Sequence, residues 1–526
     1  RFCIDINHNT GKFTSKSIKP NKLKDKKKKY KIVQLFHPKL IKATIDWYEA
    51  FLSSHHPGCE TKYAKDDAFF YINIVNEDSL FRSYFESFGR LSKDNRKMLE
   101  TQYKRYRGNK NVTLCEHRDF NVNDDNCTET INFLKKREAD YYKSITNTIK
   151  KTGYSGLITT TNSWYGVFNR DVNNTLGDAM NTHIYFSPVK TKTLLGKRFR
   201  VINNKSFVSD LLHLDGWDET QLFRIPATHI TGTPMIISEW NHSLWSDYLY
   251  EGAIILLGLS LQYDVSVMTV HTIFDRFMGS DSNIAKTPYT VFGNPVLYAM
   301  LPSLSKAFID YKPAKMFVNN RYMLQGTSDI KDSVMQGAKP LNKKQQSKFY
   351  EKNNQQAGLI FKNTMQNREQ TNVLSWHNES GKSVRLMSEK FVAIAGKENA
   401  AVNVTSWLKM SNNEPGAVLF LSMDDRKLEE SSKILITTVS GFRQGESLRK
   451  VRLGSNEYYI LMDAGSGPQR MSHNKVKLVV QNHEYSKSVI RPVYQNKNVI
   501  SGSIEANDSE YIVGNKDTPW YILERQ

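Results

Sequence analysis

Tyr-Ile-Asn-Ile-Val-Asn-Glu, at residues 71–77, is the stretch of sequence that decides the fold. The apolar run starts at Phe69 and continues to Val75, as in a strand buried on both faces of a parallel sheet. Before it, Pro38–Ser53 carries apolar residues at helical spacing, behind a proline that the first turn of a helix tolerates. A helix that leads into a buried strand predicts a parallel α/β architecture.

The same alternation of apolar strand and amphipathic helix continues through the first part of the chain. A charged, helical insertion at about 81–140 interrupts it. Further strands are predicted at Leu157–Thr161, Ala179–Phe186, Pro234–Ser238 and Val265–Val270, and further helices at Leu249–Leu261 and Asn294–Ile309. We therefore predict an α/β domain over residues 1–315.

The character of the chain changes after about Pro313. Residues 316–380 include a polar stretch rich in Gln, Lys and Asn, and we predict a linking subdomain there. From Gly381 onward, short β-like runs separated by Gly, Asn and Ser are typical of an all-β fold. A sandwich-type domain over 381–526 is the simplest account of this pattern.

The formal net charge of +20 limits the class of partner. Such a charge suits nucleic acid or an anionic polysaccharide, and it also arises from solvated, lysine-rich loops. The densest basic run, Lys24–Lys31, contains a single aromatic residue, Tyr30, in place of a series of stacking rings. No recognised nucleic-acid motif is present, so we predict no nucleic-acid partner. No apolar run reaches the roughly 18 residues of a membrane helix, so no membrane span is predicted. The sequence does not predict an oligomeric state.

Four cysteines are present, none of them in a CxxC pair, which disfavours a zinc ribbon. We predict no metal site and no cofactor. Cys115 and Cys127 lie in the same polar insertion, where they either form a local disulfide or remain thiols. A disulfide is compatible with export, and we expect a secreted, periplasmic or cell-surface protein.

Two glutamates each follow an apolar strand. Glu77 comes directly after Asn76, and Glu239 follows Met-Ile-Ile-Ser and precedes Trp240. The carboxyl ends of the strands form the active face of a β/α barrel, so two such side chains can converge from distant parts of the sequence. Glycoside hydrolysis needs one carboxyl to protonate the leaving oxygen and another to attack the anomeric carbon. One glutamate alone is more often an exposed strand-end residue, but the pair favours a catalytic role.

The motifs around these residues resemble those of glycoside hydrolase clan A, the retaining enzymes with a (β/α)8 barrel. Val75–Leu80, which contains the Asn-Glu pair, is similar to the fourth-strand motif of the clan. Thr182–Tyr185 resembles its sixth-strand His-x-Tyr motif, and Ile236–Trp240 resembles its seventh-strand nucleophile motif. The order of the three motifs along the chain also agrees with the clan.

This resemblance implies a role for each motif residue. Glu77 would be the acid/base and Glu239 the nucleophile. Tyr185 would donate a hydrogen bond to the nucleophile, and Asn76 would contact the 2-hydroxyl of the sugar. Such a hydrogen bond favours the ionised form of Glu239, and we expect partial burial to keep Glu77 protonated.

The resemblance covers most of the chain and departs at its start. Residues 294–314 and 419–439 resemble the last barrel helix and the C-terminal β-domain of large bacterial cellulase-like members. Phe2–His8 looks like the third barrel strand, so the first two strand–helix units would be missing. Because a barrel cannot close with two open strand edges, we expect an N-terminally truncated (β/α)8 TIM barrel, a fragment of a longer protein.

Further substrate contacts are predicted at other strand ends. Aromatic rings stack on the apolar faces of sugars, and core packing is the alternative role for each of them. Many clan members have a Trp near the end of the eighth strand, whereas this chain has His271 there, so other Trp residues would replace it. The candidate rings are Trp164, Trp240 and Trp245. His183 would either orient a sugar hydroxyl or satisfy a buried backbone group. Asn162, just past the end of a strand, and His8, for which a structural role is the alternative, are further candidate contacts.

The function that follows is a retaining glycoside hydrolase that cleaves β-glycosidic bonds of a polysaccharide or oligosaccharide. The positive charge motivates an anionic substrate, such as a sulfated algal glycan, while neutral mannan, glucan and galactan stay open. The alternative is a non-catalytic carbohydrate-binding protein on the same scaffold.

Overall fold

The structure is a computed structural model, and it describes residues 33–55, 60–80, 91–115, 124–162, 176–310 and 374–525. Short gaps lie at 188–189, 195–196, 203, 205, 211–223, 230–231, 274–288, 292–293, 378–381, 444–446, 454–455, 464–469, 472–473, 482–487, 494–503, 505–508 and 515–517. The helices are α1 (Pro38–Ser53), α2 (Lys93–Arg107), α3 (Asp125–Lys151), α4 (Phe207–Asp210), α5 (Arg224–Thr228), α6 (Leu249–Gln262) and α7 (Pro295–Asp310).

Five parallel strands carry the first part of the fold: β1 (Tyr71–Val75), β2 (Leu157–Thr161), β3 (Met180–Phe186), β6 (Met235–His242) and β7 (Val265–Val270). Strand β1 pairs with β2, and β3 pairs with β6, which pairs with β7. The backbone N–H of Asp178, just before β3, donates to the carbonyl of Ile158 in β2 over 2.7 Å, so the two groups of strands are neighbours. Their carboxyl ends therefore lie along one edge.

Burial explains why these segments form parallel strands. Every residue of β1 and of β6 is buried, as expected where both faces of a sheet are covered. The strands predicted at 179–186 and 265–270 and the helices predicted at 249–261 and 294–309 are confirmed to within a residue or two. The predicted strand Phe2–Ile6 lies outside the described residues.

The region predicted as an insertion is helical where the structure describes it. Helix α2 begins at a Ser92 cap, whose hydroxyl accepts the Asn95 N–H, and ends at Gly108 in the left-handed conformation. Helix α3 runs without a break through position 140, where we predicted the insertion to end. Cys115 and Cys127 form a disulfide beside these helices. Closing a loop of this size typically stabilises a fold by about 3 kcal/mol.

A large antiparallel sheet forms the C-terminal part and confirms the β-rich pattern predicted there. It contains nine strands, β8 (Leu374–His377), β9 (Ser383–Met387), β10 (Phe391–Asn403), β11 (Leu408–Ser422), β12 (Lys433–Val439), β17 (Val476–Val480), β18 (Val489–Val493), β19 (Glu510–Val513) and β20 (Trp520–Glu524). The first half of β11 pairs with β17 and the second half with β12, so the sheet folds over itself like a sandwich.

Alternate residues of β11 face two different cores. Ala417, Leu419 and Leu421 pack in the core that contains helices α6 and α7, whereas Val418 and Phe420 pack inside the folded-over sheet. Helices α6 and α7 thus lie between the parallel strands and the nine-stranded sheet. The predicted domain limits at about 315 and 380 stay predictions, because residues 311–373 lie outside the described part of the chain.

Two smaller sheets complete the fold. One joins β4 (Lys190–Leu194) and β5 (Lys197–Ile202), which follow β3, to β14 (Ser447–Leu453) and β15 (Asn456–Asp463) of the C-terminal part. The other pairs β13 (Phe442–Arg443) with β16 (Arg470–Met471). No helix among the described residues is long and apolar enough to cross a membrane.

Candidate active site

Glu77 and Glu239 meet at the carboxyl edge of the parallel strands. Glu77 follows the end of β1, and Glu239 lies in β6, which runs on past the predicted end of that strand. A carboxylate oxygen of each, together with a ring nitrogen of His183, lies within 4.8 Å of the other two. The two glutamates that the sequence analysis paired are therefore neighbours in the fold, although they are far apart in the chain.

His183 lies between the two carboxylates. Its Nδ1 is 2.9 Å from Oε1 of Glu77 and 3.4 Å from Oε2 of Glu239. The predicted role for His183 was contact with a sugar, whereas the structure places its ring against both glutamates.

The side chain of Asn162 indicates which nitrogen of His183 carries the proton. Its Oδ1 accepts the backbone N–H of Glu77 over 2.5 Å, so its amide NH2 points the other way. That NH2 donates to Oδ1 of Asn76 over 2.9 Å and lies 2.6 Å from Nε2 of His183. In the tautomer that fits this contact, Nε2 accepts from Asn162, and the protonated Nδ1 donates to Glu77.

Tyr185 donates a hydrogen bond to Oε2 of Glu239, as the resemblance implied. Burial, followed by the nearby carboxylate of Glu239, raises the pKa of the Tyr185 hydroxyl far above its usual value. The hydroxyl therefore remains a donor over the whole working range of pH. The ring of Tyr185 lies 4.8 Å from that of Tyr289 and 6.5 Å from that of His271, measured between centroids.

A network of buried polar side chains joins β1, β2, β3 and β6 next to His183. Thr159 donates to Oδ1 of Asn73 over 2.9 Å, and the amide of Asn181 donates to the same oxygen over 3.3 Å. Ser238 donates to Asn181 over 2.7 Å, and its Oγ lies 3.1 Å from Nε2 of His183. All of these side chains are buried, so the network fixes the ring that contacts both glutamates.

The loop that carries Glu77 is held in an unusual conformation. Glu77 has a φ of 51°, in the left-handed region that non-glycine residues seldom adopt. The hydroxyl of Thr161 donates to the carbonyl of Asp78 over 2.8 Å, and the N–H of Leu80 donates to Oε2 of Glu138 over 2.8 Å. Glu138 comes from helix α3 and is fully buried, so the helix and the loop are fixed to each other.

The buried Glu138 predicts a pH dependence of stability. Burial raises its pKa from 4.5 to about 8, so the folded protein keeps this proton between those values while the unfolded chain loses it. The free energy of unfolding should fall as pH rises through this window, by at most about 1.4 kcal/mol per pH unit from this group. In Glu138→Gln that contribution is absent, and urea unfolding at pH 5 and pH 8 should differ less than in the wild type. An unchanged difference contradicts the prediction.

Other predicted site residues have different positions. Trp240 is 4% exposed and packs in the hydrophobic core, which is the alternative role that we gave for it; its predicted contact with substrate stays a prediction. His8 and Trp164 lie outside the described residues. The side chain of Glu77 is 46% exposed and that of Glu239 is 11% exposed, so Glu77 is the less buried of the two carboxylates.

Several residues of the site were missed from the sequence. Ser238 immediately precedes Glu239, and its place in the quoted motif could have identified it. Arg224 donates to the backbone carbonyl of His183 over 3.2 Å. Neither Arg224 nor Tyr289 lies in a motif or at a predicted strand end, so no pattern in the sequence marked them.

Glu77, His183 and Glu239 could also hold a metal ion, since one ligand atom of each lies within 4.8 Å of the others. A histidine binds a metal through a nitrogen that carries no proton. Metal binding through Nδ1 would require this nitrogen to lose the proton that it donates to Glu77 in the tautomer described above.

Comparisons with known proteins give only weak likenesses. No family model and no curated protein matches the chain. Among solved structures it is similar to an endo-β-1,4-mannanase from Thermotoga petrophila, with 9% identity, a TM-score of 0.30, and 85% of this chain and 69% of that one covered.

Two further solved structures are similar to the same degree. For endo-glycoceramidase II from Rhodococcus sp. in an iminocyclitol complex, the identity is 10%, the TM-score is 0.27, and 85% of this chain and 66% of that one are covered. For a glucosidase from Croceicoccus marinus, the identity is 10%, the TM-score is 0.31, and 92% of this chain and 74% of that one are covered. The chain thus spans about two thirds of the length of the mannanase and the glycoceramidase, and TM-scores near 0.3 show neither its family nor its activity.

Proposed function

We propose that this chain is a retaining glycoside hydrolase in which Glu239 is the nucleophile and Glu77 the acid/base. The observation that carries the proposal is the approach of the two carboxylates, whose nearest oxygens lie within 4.8 Å. Retaining enzymes hold their carboxyl groups about 5–5.5 Å apart, whereas inverting enzymes need about 6.5–9.5 Å to admit a water molecule.

The environment of each carboxylate supports its role. Glu239 is the more buried and accepts a hydrogen bond from Tyr185, which holds one of its oxygens and leaves the other to attack the anomeric carbon. Glu77 is half exposed on the open side, where a glycosidic oxygen can reach it and accept its proton. Once the covalent glycosyl-enzyme has formed, Glu77 takes a proton from water and the water attacks the anomeric carbon.

The wider assignment rests on the same residues. We infer that β1, β2, β3, β6 and β7 are the fourth to eighth strands of a (β/α)8 barrel of the clan A type. The substrate would be a β-linked polysaccharide or oligosaccharide. The disulfide between Cys115 and Cys127 supports a secreted, periplasmic or cell-surface location, because such bonds persist in oxidising compartments.

The test is release of reducing ends from a panel of β-linked polysaccharides, with and without EDTA, followed by NMR of the first product formed. We expect hydrolysis that EDTA does not affect, with the β-anomer formed first. The α-anomer as the first product contradicts the retaining mechanism. Loss of activity in EDTA indicates a metal at the carboxylates, and binding without hydrolysis indicates a carbohydrate-binding protein.

Tyr185→Phe removes the hydroxyl that donates to Glu239 and leaves the ring in place. A hydrogen bond to a charged group contributes about 1.5–3 kcal/mol, so we expect kcat/KM to fall by about 10- to 100-fold. Tyr298→Phe is the control, since that tyrosine is exposed on α7 and packs against Trp520. An unchanged kcat/KM in the Tyr185 variant contradicts the role of the hydroxyl.

A further inference from the structure

The four-stranded sheet β4–β5–β15–β14 is built from two distant parts of the chain. Strands β4 and β5 form a hairpin that follows β3, and β14 and β15 form a hairpin of the C-terminal part. The two hairpins join through backbone pairing of Val201 with Ile460 and of Ile202 with Tyr459.

The first hairpin begins and ends on the carboxyl side of the parallel strands. The first leaves the parallel strands at Ser187, just after Tyr185, whose hydroxyl contacts Glu239. It returns at Asn204, whose side chain donates to Asp247 over 2.7 Å and accepts the backbone N–H of Asp247 over 2.8 Å. Both connections lie beyond the carboxyl ends of β3 and β6, so the first hairpin extends from the same edge of the parallel strands that carries Glu77 and Glu239. The second hairpin joins it through the pairing of β15 with β5.

The sheet is strongly basic. Its four strands contain eight Lys or Arg residues against two acidic ones, whereas the whole chain has 73 against 53. Arg200, Arg449, Lys450 and Arg452 are exposed. Neither Arg200 nor Arg452 forms an ion pair with an acidic side chain in the part of the chain that the structure describes.

The strand register places three of these cations on one face. Lys450, Tyr459 and Ile202 lie opposite one another on three neighbouring strands, so their side chains are on the same face. Arg452 is two residues from Lys450, and Arg200 is two residues from Ile202. Because side chains alternate along a strand, both arginines lie on that face as well. Arg200 lies two strands across and two residues along from Lys450, about 12 Å between backbones. It lies two strands across and four residues along from Arg452, about 17 Å between backbones. The ammonium of Lys450 is 5.9 Å from the centre of the Tyr459 ring. The residue opposite Arg452 in the strand register is the acidic Glu457.

We propose that this face binds sulfate groups of the polysaccharide that is cleaved at Glu239, and the proposal rests on the function proposed above. A sulfate ester projects from the sugar ring and presents three terminal oxygens, which accept hydrogen bonds from the forked donors of an arginine or from the ammonium of Lys450. Because Arg200 and Arg452 lie on opposite sides of the Lys450 row, the face suits successive sulfate groups along a polysaccharide. The partly exposed ring of Tyr459 adds a surface on which a sugar can stack. Nucleic acid is less suited, because Tyr459 is the one aromatic residue placed on this face, and single strands bind along a series of stacking rings.

The test uses the triple variant Arg200→Gln/Lys450→Gln/Arg452→Gln and four probes: dextran sulfate, polygalacturonate, a DNA duplex of matched charge and neutral dextran. The control is Lys397→Gln/Arg426→Gln/Lys475→Gln, which removes the same charge from exposed positions in and around the nine-stranded sheet. At fixed ionic strength we expect the wild type to bind dextran sulfate most tightly. The sheet variant should lose about tenfold in affinity, and the control less than about threefold.

Several outcomes overturn the proposal. Equal losses in the two variants mean that net charge, and not this face, binds the probe. Tighter binding of polygalacturonate assigns carboxylates in place of sulfates, and tighter binding of a DNA duplex of matched charge assigns nucleic acid. If the protein hydrolyses glycans but the sheet variant binds the probes as well as the wild type does, the sulfate-binding face is contradicted and the proposed function is not. Sheet-dependent binding without hydrolysis of any glycan contradicts the proposed function and leaves the binding face in place.

Discussion

Glu239→Gln is expected to lower turnover of a β-linked glycan by about 10⁴-fold or more, because the amide cannot attack the anomeric carbon. The substitution preserves size and still offers an oxygen to Tyr185, so the fold should be unchanged. Glu414→Gln, at an exposed position of β11, is the matched control and should keep wild-type turnover.

A mechanism-based label gives a second measurement of the same role. A 2-deoxy-2-fluoro glycoside with a good leaving group should accumulate as a covalent adduct, and peptide mass spectrometry should place the sugar on Glu239. Near-normal turnover in Glu239→Gln, or a label on another residue, contradicts the assignment of the nucleophile.

Glu77→Ala should affect substrates according to their leaving groups. For a natural sugar leaving group, loss of the general acid should lower the rate by about 10²- to 10⁴-fold. A dinitrophenyl glycoside needs no protonation to leave, so its first step should be nearly unaffected. Azide should restore part of the second step and yield a glycosyl azide of retained configuration, because it attacks without needing a general base.

The comparison of the two substrates is the decisive measurement for Glu77. A structural role would lower the rates for both substrates alike, and azide would not restore either one. Equal losses for natural and activated substrates therefore contradict the acid/base role, even if the variant is inactive. Glu60→Ala, at an exposed position before β1, is the control for loss of a surface carboxylate.

Much of the fold near the site could be predicted because strong local patterns specify it. Apolar runs with a polar end predicted β1, β3 and β6, and an uninterrupted apolar helix predicted α6. The end of β6 was placed too early, since Trp240 to His242 continue the strand with mixed polarity. Sequence polarity alone does not show that polar side chains at the end of a buried strand still pair in the sheet.

The residues of the site could be predicted where they lie in a short motif or directly after a predicted strand. Glu77, Asn76, Tyr185 and Glu239 lie in short motifs, and Asn162 was found because it follows a predicted strand. Glu138 lies inside a long amphipathic helix, where a glutamate is ordinarily solvated, and only the folded position of the Leu80 loop turns it inward.

The position of Trp240 depends on an irregularity that the sequence pattern does not show. Ser238 and Glu239 are consecutive in β6, yet both contact His183, because the register of β6 against β3 shifts between Ile237 and Glu239. Strict alternation of side chains therefore does not hold at this point of the strand. The side chain of Trp240 packs in the hydrophobic core, which is the alternative role that we gave for it.

Helix α6 has two glycines that fit it between the two large layers of the protein. A methyl group at Gly252 would meet the Phe186 ring of β3 at 2.7 Å, and one at Gly258 would meet the Leu374 side chain of β8 at 2.8 Å. One helix is thus shaped by both the parallel strands and the nine-stranded sheet. A substitution that shifts either layer must still leave room for this helix. We therefore expect the two layers to be inherited as one unit and not exchanged as independent modules.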